Sequence, residues 1–154
     1  MTIEDDIAVL ERVPIFALLG PQALRIIAIG TESRYVHKGE ILFSVGEIAD
    51  AGYLIQEGSF ALELDSMESD TERVTVPRGT LLGESALLTE TLRPVTATAL
   101  EPSMVMRIPR SLFLKMLDGF PDAAQRLRDH FARRAEQTAR DIVAVREALE
   151  QGGQ

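Results

Sequence analysis

Residues 81–100 read LLGESALLTETLRPVTATAL, a stretch that places the pair Gly83-Glu84 about nine residues ahead of a lone arginine, Arg93, in otherwise apolar sequence. Gly83 permits close backbone approach, and the small residues Ser85 and Ala86 open a short helical turn whose N–H groups can face an anion. Arg93 adds a planar, permanently charged fork suited to phosphate oxygens. Glu84 would repel a phosphate, so its better role is to accept a hydrogen bond from a sugar hydroxyl. A phosphate joined to a ribose suits all three groups. Two plainer readings stand beside this one: Arg93 paired at the surface with Glu90, and Glu84 capping the turn over Ser85 to Leu88.

Upstream and downstream of this stretch, from Ser33 to Ile108, short runs rich in Val, Ile, Leu and Thr alternate with turns at Gly46-Glu47, Glu57-Gly58 and Arg78-Gly79. This pattern predicts an antiparallel roll or barrel, with Gly39, Gly46, Gly58 and Gly79 as turn residues at positive φ. The polar run DSMESDTER, Asp65 to Arg73, predicts an exposed hairpin tip and is assigned no function. Helical spacing covers Asp5 to Leu10 and Pro21 to Ile29, giving two short N-terminal helices. Pro109 to Leu117 reads as another short helix, and Pro121 opens a long one running to about Glu150. The expected fold is therefore α+β: one domain over 1–154, with N-terminal helices in 1–32, a jelly-roll-like antiparallel β-roll in 33–108 and C-terminal helices in 109–150.

With 154 residues and 45% hydrophobic content, the chain can bury an ordinary core without metal or disulfide staples. It has no cysteine, which excludes disulfides, thiol catalysis and cysteine-bound zinc. The acidic start MTIEDDIAVLERV is unlike a signal peptide, and no run approaches the ~20 apolar residues of a membrane span, so a cytoplasmic protein with no membrane partner is expected. Net charge is -8, and residues 121–154 hold six Arg against six Asp and Glu, so the acidic excess falls on residues 1–120. Neither part offers the clustered basic face that nucleic-acid binding requires. The two histidines, His37 and His130, have no nucleophile or metal-ligand partner at a useful spacing, and the carboxylates read as a solvated acidic face. A binding protein is expected, not an enzyme, with no metal and no cofactor.

The stretch over 82–97 resembles the phosphate-binding cassette of cyclic nucleotide-binding domains: a Gly-Glu pair, a small-residue turn, and an Arg followed by small or β-branched residues. VHKGEILFSVGEIADAGYLIQEGSFALEL, Val36 to Leu64, resembles the β-roll of the same family, and the likeness extends from about Ile15 to about Leu149. The resemblance implies that Gly83, Glu84, Ser85, Ala86, Arg93, Pro94, Val95 and Thr96 surround a cyclic nucleotide, with Arg93 and the N–H groups around Ser85 and Ala86 at the phosphate. Pro94 departs from the pattern, since the family usually has Ala, Ser or Thr there. Proline removes one N–H donor and also the hydroxyl that a Thr offers to guanine in cGMP-selective relatives. Thr96 would compensate only if the backbone shifts. The implied ligand is cAMP ahead of cGMP.

Phe120 to Ile142 resembles the dimerising helix of the bacterial catabolite activators within this family, where a threonine contacts adenine and the following serine reaches the nucleotide of the other subunit. Thr138 matches the threonine, whereas Ala139 replaces the serine. A stripe through Ala135, Thr138, Ile142, Val145 and Leu149 has the heptad spacing of a coiled coil, which implies a homodimer; the alternative is that it packs back on its own roll. Thr138 then reads either as the adenine contact or as a tolerated coiled-coil position. The chain ends where the activators continue into a helix-turn-helix, so the expectation is a stand-alone regulatory module signalling to an unidentified effector protein. A scaffold with a degenerate pocket and a truncated transcription regulator are the other readings.

Overall fold

The computed structural model describes residues 2–64 and 73–152. Its first helix, α1 (Ile3–Glu11), starts at a capping box in which Thr2 Oγ1 accepts the Asp5 N–H and the Asp5 carboxylate accepts the Thr2 N–H, both at 3.2 Å. Those bonds hold the Asp5 carboxyl below its ordinary value. Two further helices follow, α2 (Pro14–Ala17) and α3 (Pro21–Gly30). The sequence suggested two N-terminal helices and missed α2, because a four-residue turn is too short to display a helical period.

Strands β1 (Glu32–Val36), β2 (Ile41–Phe43), β3 (Ile48–Ala49), β4 (Ala51–Glu57), β5 (Ser59–Glu63), β6 (Arg73–Pro77), β7 (Leu81–Leu82), β8 (Thr91–Leu92), β9 (Thr96–Ala99) and β10 (Ser103–Pro109) form the roll. They build one sheet in the order β1-β10-β4-β7, a second in the order β2-β9-β5-β6, and the pair β3-β8, with every pairing antiparallel. Of the expected polar tip, residues 65–72 lie outside the described residues, and Arg73 begins β6.

Period-two alternation explains why β4 is buried at every residue but Glu57. Leu54 points with Met106 and Ile108 into a core shared with Phe16, Leu24, Ile27 and Phe113 of the helices. Tyr53 and Ile55 point the other way, joining Val36, Phe43, Phe60, Leu82 and Val105 between the sheets. One strand thus links two hydrophobic cores. The fold is α+β, an antiparallel β-roll with short N-terminal helices and a long C-terminal helix.

After β10 come α4 (Arg110–Gly119) and α5 (Pro121–Gly152). The first turns of α5 pack Ala123 and Leu127 into the helical core, and Arg126 fastens it by donating from Nε to the Leu18 carbonyl at 2.6 Å and from Nη2 to the Leu19 carbonyl at 3.3 Å. Phe131 is the last residue to touch that core, and residues 132–150 are all exposed. Ile142, Val145 and Leu149 are 57%, 59% and 72% exposed, so the stripe does not pack back on its own roll. A helix of 32 residues spans about 48 Å, which outruns the body it starts on. No helix among the described residues is long and apolar enough to cross a membrane.

Candidate functional site

Between β7 and β8 the chain makes a 3₁₀ turn, Glu84–Leu87, that begins at Gly83 in the left-handed conformation (φ +80°). A β-carbon at Gly83 would collide with Arg93 Nη1, so glycine is required here both by the backbone angle and by the arginine against it. The turn buries Ala86 and Leu87 completely.

Arg93 is held there by its main chain as well as its side chain. Its N–H donates to the Glu47 carbonyl and its carbonyl accepts the Gly46 N–H, both at 2.8 Å. The side chain is only 4% exposed. Nη2 donates to the Ala51 carbonyl at 2.8 Å, and the guanidinium lies 4.3 Å from the Phe43 ring centroid and 5.4 Å from that of Tyr53. The two rings are themselves stacked, 6.0 Å apart and inclined by 28°. Cation–π attraction supports the charge without neutralising it. No carboxylate pairs with Arg93, and Nη1 has no hydrogen-bond partner among the described residues. Burial pushes the guanidinium below its ordinary value, against the pull of Tyr53, Asp50 and Glu47. The surface pairing of Arg93 with Glu90 is therefore not what the fold makes.

A buried cation with an unspent donor costs roughly 1–3 kcal/mol for the bare hydrogen bond alone. The arginine lines a cavity of about 600 Å³ together with Phe43, Leu62, Leu82, Gly83, Glu84, Ser85, Ala86, Pro94 and Val95, among others. The lining is mainly apolar, with Arg93 as its positive charge and Glu84 as its carboxylate. Chemically it suits an anion carrying an organic body.

Seven of the residues expected to surround the ligand, Gly83, Glu84, Ser85, Ala86, Arg93, Pro94 and Val95, line this cavity, and Thr96 and Thr138 do not. The Ala86 N–H donates to the Gly83 carbonyl at 3.0 Å, closing the turn, so it is not free to face an anion; the Ser85 N–H makes no backbone hydrogen bond among the described residues. Thr96 does not line the cavity, because its Oγ1 accepts the Val45 N–H at 2.9 Å across the β2–β9 edge. Thr138 lies in a neighbouring cavity of about 440 Å³ shared with Glu84, Ser85, Phe131 and Arg134, and its hydroxyl donates back to the Arg134 carbonyl at 2.9 Å. A hydroxyl on an exposed helix turn satisfies itself on its own backbone.

Glu84 makes no cap to the turn. Its Oε1 instead meets Arg134 Nη1 of α5 at 3.5 Å. Nothing local in the sequence marks Arg134, and its role depends on where α5 crosses the roll. Phe43, Tyr53 and the Ala51 carbonyl were likewise missed, since nothing local in β2 or β4 marks a residue that supports a distant arginine. Among the described residues, no three His, Cys, Asp or Glu side chains gather as a metal site would require.

Comparison with known proteins identifies the family and the fold. A family model described as the cyclic nucleotide-binding domain matches residues 33–120. A cyclic nucleotide-binding-like protein from Brucella abortus is 38% identical, with a TM-score of 0.66, covering 74% of this chain and 98% of that one. The N-terminal domain of a transcriptional regulator from Streptomyces coelicolor superposes with a TM-score of 0.80 at 26% identity, covering 87% of this chain and 94% of that one. Among curated proteins, a lysophospholipase of Aspergillus terreus is 29% identical over 118 residues, 71% of this chain but only 8% of that protein.

Proposed function

Because this chain belongs to the cyclic nucleotide-binding domain family, we propose that it is a regulatory module that binds cAMP and signals through α5. The observation that carries the proposal is Arg93: a buried, unpaired guanidinium with Nη1 unspent at the wall of a largely apolar cavity. An equatorial phosphate oxygen supplies both the charge and the acceptor that Arg93 lacks. Gly83 and the Ser85 N–H would complete the phosphate subsite, Glu84 would accept the ribose hydroxyl, and Leu62, Leu82 and Val95 would offer the apolar wall. Pro94 carries no hydroxyl at the position where a Thr would reach guanine's exocyclic amine, and the Thr96 hydroxyl already accepts the Val45 N–H. Adenine is favoured on that ground.

The exposed stripe at Ile142, Val145 and Leu149 supports a two-stranded coiled coil between copies of the chain. In this reading the module is cytoplasmic, has no catalytic role of its own, requires no cofactor and hands its signal to an effector protein. Thr138 stands one cavity away from the phosphate and would meet a base only if the ligand reaches past Glu84. Pro94 favours a second reading, a scaffold whose pocket binds weakly and whose working part is α5.

Isothermal titration with cAMP and then cGMP, beside the Arg93→Ala variant, tests the proposal. Saturable binding lost in the variant is expected, with cAMP the tighter ligand. Absence of heat with either nucleotide in folded protein would hand the argument to the scaffold.

A further inference from the structure

Five residues with polar side chains line the cavity of about 600 Å³: Thr80, Glu84, Ser85, Thr91 and Arg93. Glu84 is negative and meets Arg134, and the Thr91 hydroxyl donates to the Leu92 carbonyl at 3.5 Å. The Ser85 hydroxyl is exposed and makes no hydrogen bond among the described residues. Ser85 follows Gly83 by two residues, and it is Gly83 whose missing β-carbon leaves room for Arg93 Nη1. Two residues of a 3₁₀ turn advance the chain by about 4 Å, so this hydroxyl and the unspent guanidinium N–H can serve one anionic group. Thr80 also has an unbonded hydroxyl, but it precedes Gly83 by three residues of extended chain, about 10 Å. Two backbone donors are missing from the same wall. Pro94 has no N–H, and that of Ala86 is spent on the Gly83 carbonyl at 3.0 Å. A phosphate here would meet one cation, with a carboxylate on the turn beside it.

From this we infer that the side chain of Ser85 is a ligand-binding group: its hydroxyl donates to one exocyclic oxygen of a cyclic phosphate held by Arg93, and so supplies from the turn the donor that Pro94 does not offer. The inference rests on the reading of the cavity as a cyclic-nucleotide site. A serine hydroxyl rotates to aim its proton, and a bond to an ionised oxygen is stronger than one to a neutral acceptor. Because the hydroxyl is hydrated before the ligand arrives, only the surplus of that bond over one to water counts toward affinity. A donor fixed on one side of the phosphate also makes its two exocyclic oxygens unequal.

That inequality separates a direct bond from a structural effect. The experiment is titration of wild type, Ser85→Ala and Ser85→Thr with cAMP and with its Rp and Sp phosphorothioates, in which sulfur, the poorer acceptor, replaces one exocyclic oxygen or the other. Ser85→Ala should weaken cAMP and one diastereomer by roughly five- to twentyfold, the lower part of the range for a hydrogen bond to a charged group. The other diastereomer, whose sulfur already faces residue 85, should lose less than about twofold by the same reasoning. Ser85→Thr keeps a hydroxyl and should recover most of the loss. Unchanged cAMP affinity in Ser85→Ala, equal losses for cAMP and both diastereomers, or no recovery in Ser85→Thr would overturn the role of Ser85 while leaving the nucleotide site standing. Failure of wild type to bind any of the three ligands would overturn the site itself and this role with it. Ser85 is exposed, so both variants are expected to unfold at the urea concentration of wild type.

Discussion

Replacing Arg93 with methionine should leave the fold about as stable as before, or more stable, while abolishing anion binding. The magnitudes come from the contacts. Lost are the charged hydrogen bond to the Ala51 carbonyl, about 1.5–3 kcal/mol, and the cation–π attraction of Phe43 and Tyr53, about 1–2 kcal/mol together. Gained are relief of the unpartnered Nη1, about 1–3 kcal/mol, and of burying an unpaired charge, several kcal/mol even after relaxation. These terms nearly cancel, leaving a net within about 2 kcal/mol of zero and tilted toward stabilisation. Methionine keeps the length and contacts of the arginine stem, so no large cavity opens. Urea unfolding of wild type and Arg93→Met, with m-values compared to confirm the same transition, measures the difference directly. Saturating cAMP at about 100 times its Kd should stabilise wild type by about 2.7 kcal/mol and the variant not at all. A variant destabilised by 3–5 kcal/mol in the absence of nucleotide would mean that Arg93 is a structural anchor whose charge the fold already satisfies, and the reasoning from its unspent donor would be refuted.

The other predictions follow from single residues. Pro94→Ala restores a backbone N–H at the pocket wall and should tighten nucleotide binding by about 0.5–1.5 kcal/mol, read by titration; unchanged affinity would show that this position faces no phosphate oxygen. Gly83→Ala should destabilise the fold by roughly 1–2 kcal/mol in denaturant, for the left-handed backbone alone, and weaken binding further by displacing Arg93. Asp6, half-buried beside Gln56, is pushed above its ordinary 3.8 by burial. A raised acid contributes stability below its unfolded pKa and loses it as pH rises through the folded value. Wild type should thus lose stability relative to Asp6→Asn as pH climbs from below 3.8, and parallel pH–stability curves for the two proteins would contradict that sign.

Much of this molecule could be read before any coordinates. The alternation of Val, Ile and Leu with glycine turns predicted an antiparallel roll, and Pro121 predicted the start of the long helix, because strand period, turn chemistry and helix initiation are local properties of the chain. The positive φ of Gly39, Gly46, Gly58 and Gly79 was legible for the same reason. Gly83-Glu84 and Arg93 could be singled out because one turn and one short strand separate them. What local pattern could not provide was the partner of each group. Whether Thr96 faces a pocket or the Val45 N–H depends on how β2 lies against β9, and whether Glu84 meets Arg134 depends on the angle at which α5 leaves the roll. The sequence left open whether the stripe on α5 turns inward, and only the tertiary structure, where the helix outruns the body beneath it, exposes Ile142, Val145 and Leu149. The burial of Arg93 over two aromatic rings from distant strands, with one N–H unspent, belongs to the same class. Residue type and spacing set which groups are available, but long-range packing decides which of them are already satisfied and which remain for a ligand.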